Sequence, residues 1–163
     1  MNTTRLLAAA FVTTSLAVAA CGGDSARTAT KSGSPSTVSV KSIAAIGDVL
    51  VDPKGQALYA SDVEADGQVR CVDGCTAFWQ PLTLDSGTPV APADAGKLGV
   101  VKRPDGTRQV TAGGKLLYTF SEDSPGKVTG NGFSDDFDGR HFTWNAVLAG
   151  GETAGSSGNM GGY

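Results

Sequence analysis

Apolar positions along this chain come in short bursts broken by Gly, Pro and Asp, a pattern that belongs to strands and tight turns and not to helices. Val49-Leu50-Val51 runs into Asp52-Pro53-Lys54-Gly55, and the apolar run resumes at Ala57-Leu58-Tyr59. These are type I turn residues: Asp accepts from loop amides, Pro presets φ at the second position and Gly tolerates the exit. A hairpin is predicted there. Downstream, Leu98 to Arg103 and Thr107 to Thr111 flank Pro104-Asp105-Gly106, and Gly113-Gly114 separates Val110 from Leu116 to Phe120. That spacing predicts three consecutive strands, and Phe142 to Leu148 reads as a closing strand. Only Cys75 to Trp79 hints at a helical turn. The expected fold class is all-β: one small domain of short antiparallel strands.

The same elements occur twice. An offset of 59 residues places Gly55 on Gly114, Leu58 on Leu117, Tyr59 on Tyr118, Glu64 on Asp123 and Gly67 on Gly126. After a six-residue shift, Trp79-Gln80-Pro81-Leu82 falls on Trp144-Asn145-Ala146-Val147. Repeat one spans about 45–84 and repeat two about 98–148, within a β domain expected over residues 38–149. Units this small bury little surface alone, so the two are expected to share one core.

The N-terminus has a different grammar. Arg5 precedes an apolar stretch from Leu6 to Val18, and Leu16-Ala17-Val18-Ala19-Ala20 ends in small residues directly before Cys21. The run is too short for a confident membrane span and has the layout of an export signal. Residues 1–20 are therefore expected to be removed, leaving Cys21 as the first mature residue with lipid, palmitate included, on its sulfur. Several acyl chains on one thiol anchor stably where one does so only marginally. Residues 21–37 read as a flexible tether, of which the sixteen from Gly22 to Thr37 span roughly 20–24 Å as a coil. Residues 150–163, GGETAGSSGNMGGY, read as a disordered tail.

Charge and cysteine count narrow the picture. With 13 basic against 16 acidic residues the chain carries a formal net charge of −3, which argues against nucleic acid as a partner. Once Cys21 is assigned to lipid, Cys71 and Cys75 remain as an even pair, expected to be bonded to each other in an oxidising compartment. The expected location is the extracytoplasmic face of a cell membrane; Gly22 after the lipidated Cys also permits outer-membrane sorting in a two-membrane cell.

Tyr118-Thr119-Phe120-Ser121-Glu122-Asp123 fits Y-x-[FWY]-x-x-D. Arg103-Pro104-Asp105-Gly106, Gly114-Lys115-Leu116-Leu117 and Pro125-Gly126 surround it. In the first unit Leu50-Val51-Asp52, Gly55, Leu58-Tyr59, the two cysteines and Trp79-x-Pro81-Leu82 follow the same plan. Over residues 45–148 the chain resembles a family of predicted bacterial lipoproteins known as a secreted repeat of unknown function. The first unit departs from the motif, with Ser61 at the aromatic position and Glu64 at the acidic one. The resemblance implies export, lipidation and tandem repeats, and brings no established activity.

Each chemically suggestive residue has a plainer reading beside it. Asp123, at the start of a turn before Pro125-Gly126, is expected to satisfy loop amides, and a buried Tyr59 or Tyr118 needs a hydroxyl partner. Cys71-x-x-x-Cys75 has a spacing that suits Cu(I), with His141 the only histidine, but a structural disulfide is the reading taken. Asn131, Asp135, Asp136 and Asp138-Gly139 could collect oxygen ligands, yet lack full calcium-loop spacing and read as a solvated loop. Trp79 and Trp144 read as core anchors. No catalytic constellation, cofactor site or metal site is assigned. The expected function is a non-enzymatic binding or structural role in the cell envelope, as a monomer that meets an envelope or surface partner. The alternative is a copper or redox accessory built on Cys71 and Cys75.

Overall fold

The computed structural model describes residues 36–155, which belong to one compact unit. The expected leader, Cys21 with its lipid, the tether through residue 35 and the tail from residue 156 lie outside the described residues. Among the described residues, ten strands in three antiparallel sheets make up the fold, joined by 3₁₀ turns, so the fold is all-β. β1 (Ser39–Ile43) pairs with β2 (Gly47–Val51). β5 (Leu98–Lys102), β6 (Arg108–Ala112) and β7 (Lys115–Leu116) form a second sheet. The third consists of β3 (Tyr59–Ser61), β4 (Trp79–Pro81), β8 (Tyr118–Phe120), β9 (Phe133–Phe137) and β10 (Arg140–Ala146), in the order β4-β8-β3-β10-β9.

The two units exchange strands. Tyr59 and Tyr118 face each other at the centre of the five-stranded sheet. Around that pair, β4 of the first unit runs beside β8 of the second, with Trp79 opposite Phe120 and Pro81 opposite Tyr118. In the mirrored position β10 of the second unit runs beside β3 of the first, with Trp144 opposite Ser61 and Ala146 opposite Tyr59. The backbone bonds repeat the pattern. Val147 donates to Leu58 O at 2.8 Å and Leu50 to Val147 O at 2.8 Å, while Leu82 donates to Leu117 O at 2.9 Å and Val110 to Leu82 O at 2.8 Å. Each unit therefore supplies the strand that completes the other.

Two buried clusters result. Because successive side chains on a strand point to opposite faces, the Leu-Tyr dipeptides divide between them. Leu58 and Leu117 enter one cluster with Leu50, Val110 and Val147. Tyr59 and Tyr118 enter the other with Trp79, Phe120, Phe142 and Trp144. The single shared core that the repeats predict is thus two cores, one on each face, and both draw on both units.

Three elements differ from the sequence reading. The predicted strand Leu116 to Phe120 divides at Leu117: β7 stays on β6, and β8 crosses to the five-stranded sheet. Phe133–Phe137, read as part of a solvated acidic loop, is an edge strand paired along its whole length with β10. Its alternation of Phe133, Asp135 and Phe137 is a strand pattern hidden by the acidic residues between and around them. The domain also reaches past Leu148, since Ala154 donates to Ala146 O at 2.8 Å and packs into the aromatic cluster. Small residues there let the backbone itself do the packing. At the other end Thr37 donates to Val90 O at 2.7 Å.

Candidate functional site

The motif residues form reciprocal contacts across the unit boundary. Tyr59 Oη donates to Asp123 Oδ2 at 2.5 Å, whereas Tyr118 Oη donates to Glu64 Oε1 at 3.1 Å. Each tyrosine is thus held by the acid of the other repeat. Asp123 also accepts from the Thr129 amide at 2.9 Å and the Thr129 hydroxyl at 2.6 Å, which fixes the loop after its turn. Glu64, only 1% exposed, accepts from the Arg70 and Cys71 amides at 2.6 and 2.7 Å. Arg103, 3% exposed, donates to Gln109 Oε1 at 2.5 Å, to Tyr118 Oη at 3.3 Å and to Cys71 O at 2.6 Å. Tyr118 therefore sits between a buried cation and a buried anion.

Burial, reinforced by the Asp123 hydrogen bond, pushes the Tyr59 hydroxyl well above its ordinary pKa. Burial, then the Glu64 charge, does the same to Tyr118. An unfolded tyrosine ionises near 10, so unfolding above that pH releases protons. The stability that these groups contribute is complete below about pH 10 and is lost as the pH rises beyond it. We expect a thermal midpoint that is level through about pH 9 and falls steeply above about pH 10. Melts across that range, with phenolate absorbance followed in parallel, check it. Tyr59→Phe should flatten the alkaline limb, and an equally steep limb in that variant would assign the effect elsewhere.

A stack of aromatic rings lies on this network. Trp79 and Trp144 are parallel, 4.1 Å apart, with Phe120 stacked on Trp79 at 4.4 Å and Phe142 beside Trp144 at 5.6 Å. Both indoles donate to one carboxylate, Trp79 Nε1 to Asp135 Oδ2 at 2.7 Å and Trp144 Nε1 to Asp135 Oδ1 at 3.0 Å. Backbone presses against the rings at Gly130, where a Cβ would lie 2.8 Å from Trp79 and 3.1 Å from Tyr59. The two tryptophans are core anchors, completed by an acid that the sequence reading assigned to a loop.

Over the stack opens a pocket of about 260 Å³, lined by Phe78, Phe120, Phe133 and Phe137, with Glu122, Asp135 and Asp136 among them. The five-stranded sheet curls to make it. Phe137 on edge strand β9 comes within 6.1 Å of Phe78, and Phe133 within 5.3 Å of Phe120, although β9 and β8 lie toward opposite sides of the sheet order. Phe78 is 47% and Phe133 42% exposed. Large apolar side chains gathered on a concave surface mark a binding site more often than isolated ones do. Neither phenylalanine stands out in the sequence, since both sit next to residues that packing claims.

Cys71 and Cys75 are joined in a disulfide and buried in the aromatic cluster. Bonded to each other, they offer no thiolate to a metal. His141 Nδ1 lies 3.1 Å from Asp136 Oδ1 on the exposed face of β10 and β9. Asp136 lies beside the phenylalanine pocket, while Asp135 serves the indoles. The acidic segment is therefore divided between two tasks.

Residues 99–147 match the model of a family described as a secreted repeat of unknown function. The match begins in β5, contains Tyr118, Phe120, Asp123 and Trp144, and ends at the exchanged Val147. No curated protein and no solved structure matches the chain. A match to a secreted repeat over residues 99–147 points to an extracytoplasmic location. Among the described residues, no helix is long and apolar enough to cross a membrane.

Proposed function

We propose that the protein is a small, non-enzymatic binding module held on the extracytoplasmic face of a membrane by lipid on Cys21. The observation that carries the binding role is the pocket between Phe78, Phe120, Phe133 and Phe137, where two half-exposed rings stand over a rigid aromatic floor. Its floor is held by hydrogen bonds and ring stacking, the preorganised support that ligand pockets require. The buried acids favour the same reading. Asp123 spends both oxygens, and Glu64 its Oε1, on amides and hydroxyls, which is the work of a scaffold. The apolar run that ends at Cys21 supports the anchor.

Expression of the full chain with its own leader in a bacterium tests the anchor. The expected product is membrane-bound and begins at Cys21, with its first peptide heavier by a diacylglyceryl group and an acyl chain. Cys21→Ser should release it from the membrane fraction. An uncleaved first peptide without fatty acid would refute the anchor.

A further inference from the structure

We infer that the phenylalanine pocket takes a small organic cation, an alkylated or protonated amine of the quaternary ammonium type, and this rests on the binding role proposed above. Four rings line the space, and aromatic faces attract cations through their quadrupole. The polar groups beside them are all of one sign: Glu122, Asp135 and Asp136. Among the described residues, no lysine or arginine lines the pocket. Asp135 already accepts from two indole N–H groups, which can only donate, so its negative charge lies at the base of the aromatic floor. The groups that face Asp136 include the exposed His141, which pairs with one of its oxygens.

Shape agrees with charge. The rings are splayed, Phe78 and Phe137 by 34° and Phe120 and Phe133 by 43°, and leave a gap between them. At about 260 Å³ the space falls just under the ~300 Å³ at which pockets for whole drug-sized ligands begin. It suits a compact ammonium head. Anions meet three carboxylates there, and a neutral apolar group of the same shape would gain the rings but not the charge.

Choline and its uncharged carbon isostere, 3,3-dimethylbutanol, separate these terms. The probe protein is the full mature chain with Cys21→Ser, which removes only the lipid. Calorimetry and tryptophan emission follow binding, because Trp79 lies 6.1 Å from Phe133 and reports on the pocket. We expect saturable choline binding that is at least about tenfold tighter than that of the isostere and weakens with salt. Phe133→Ala should weaken it by about 2- to 30-fold, the range that one cation–ring contact spans, and Glu122→Gln should also reduce it. Both side chains are at the surface, and an unchanged melting midpoint would confirm that the variants fold. Equal binding of choline and isostere, lost in Phe133→Ala, would overturn the cation and leave the binding role standing. Binding of neither would overturn both, and capture of acetate in place of choline would reverse the assigned sign.

Discussion

Trp144→Ala is expected to cost about 3–5 kcal/mol of stability, the range for truncating a buried tryptophan, and to lower the thermal midpoint by about 12–20 °C in a domain of this size. The side chain is fully buried. It stacks on Trp79 at 4.1 Å, meets the edge of Tyr118 at 5.2 Å and donates to Asp135. Its removal opens a cavity between the two units, where strands from both are already held by sheet bonds and close in poorly. Trp144→Phe keeps a ring in the stack and loses the indole donor, so its cost should be nearer 1–3 kcal/mol. Chemical denaturation of the two variants checks the order, and equal losses would show that the stack, not the cavity, is misjudged.

Glu64→Ala is the second large effect, at about 3–5 kcal/mol, because it strips the acceptor from three donors at once, the Arg70 and Cys71 amides and the Tyr118 hydroxyl, and donors left unpaired in the interior bear their full desolvation cost. Glu64 and Arg103 share Tyr118 between them, one accepting from its hydroxyl and the other donating to it. They also hold the two sides of Cys71, Glu64 at the amide and Arg103 at the carbonyl. Alanine at position 64 orphans those donors and leaves the buried Arg103 guanidinium with the exposed Asp105, 3.7 Å from its Nε, as its ion-pair partner. Glu64→Gln retains an acceptor and should lose less. In a double-mutant cycle with Arg103→Met the coupling should exceed about 1 kcal/mol. Additive losses would mean that the two charges do not sense each other through Tyr118.

Both effects depend on residues of unequal visibility in the sequence. Trp144 is matched to Trp79 by the repeat, and large aromatics at equivalent places in two units are natural core residues. Glu64 aligns with Asp123, so an acid five positions beyond a tyrosine is visible twice. Its partner is not. The sequence shows only that Glu64 follows Tyr59, and Asp123 follows Tyr118, by five positions; the fold joins each tyrosine to the acid of the other unit. Arg103 looks like a surface residue beside a turn, yet it is buried. Nothing local distinguishes a guanidinium that reaches solvent from one that ends on Gln109 and the Cys71 carbonyl.

The pocket was hidden for a similar reason. Phe78 precedes β4, Phe120 ends β8 and Phe133 opens β9, so no window of sequence contains them together. Asp135 and Asp136 are adjacent, yet one turns inward to the indoles and the other toward His141.

Local chemistry was enough to set the all-β class, the turns, the duplication and the Leu-Tyr alternation, because turn preferences and a period of two act over a few residues. The exchange of strands between units, the pairing of each tyrosine with the acid of the other unit and the gathering of four phenylalanines were settled only when distant segments met. Those choices compare long-range pairings that the same residues could satisfy within one repeat or across two. Two small units gain more buried surface by completing each other than by closing on themselves.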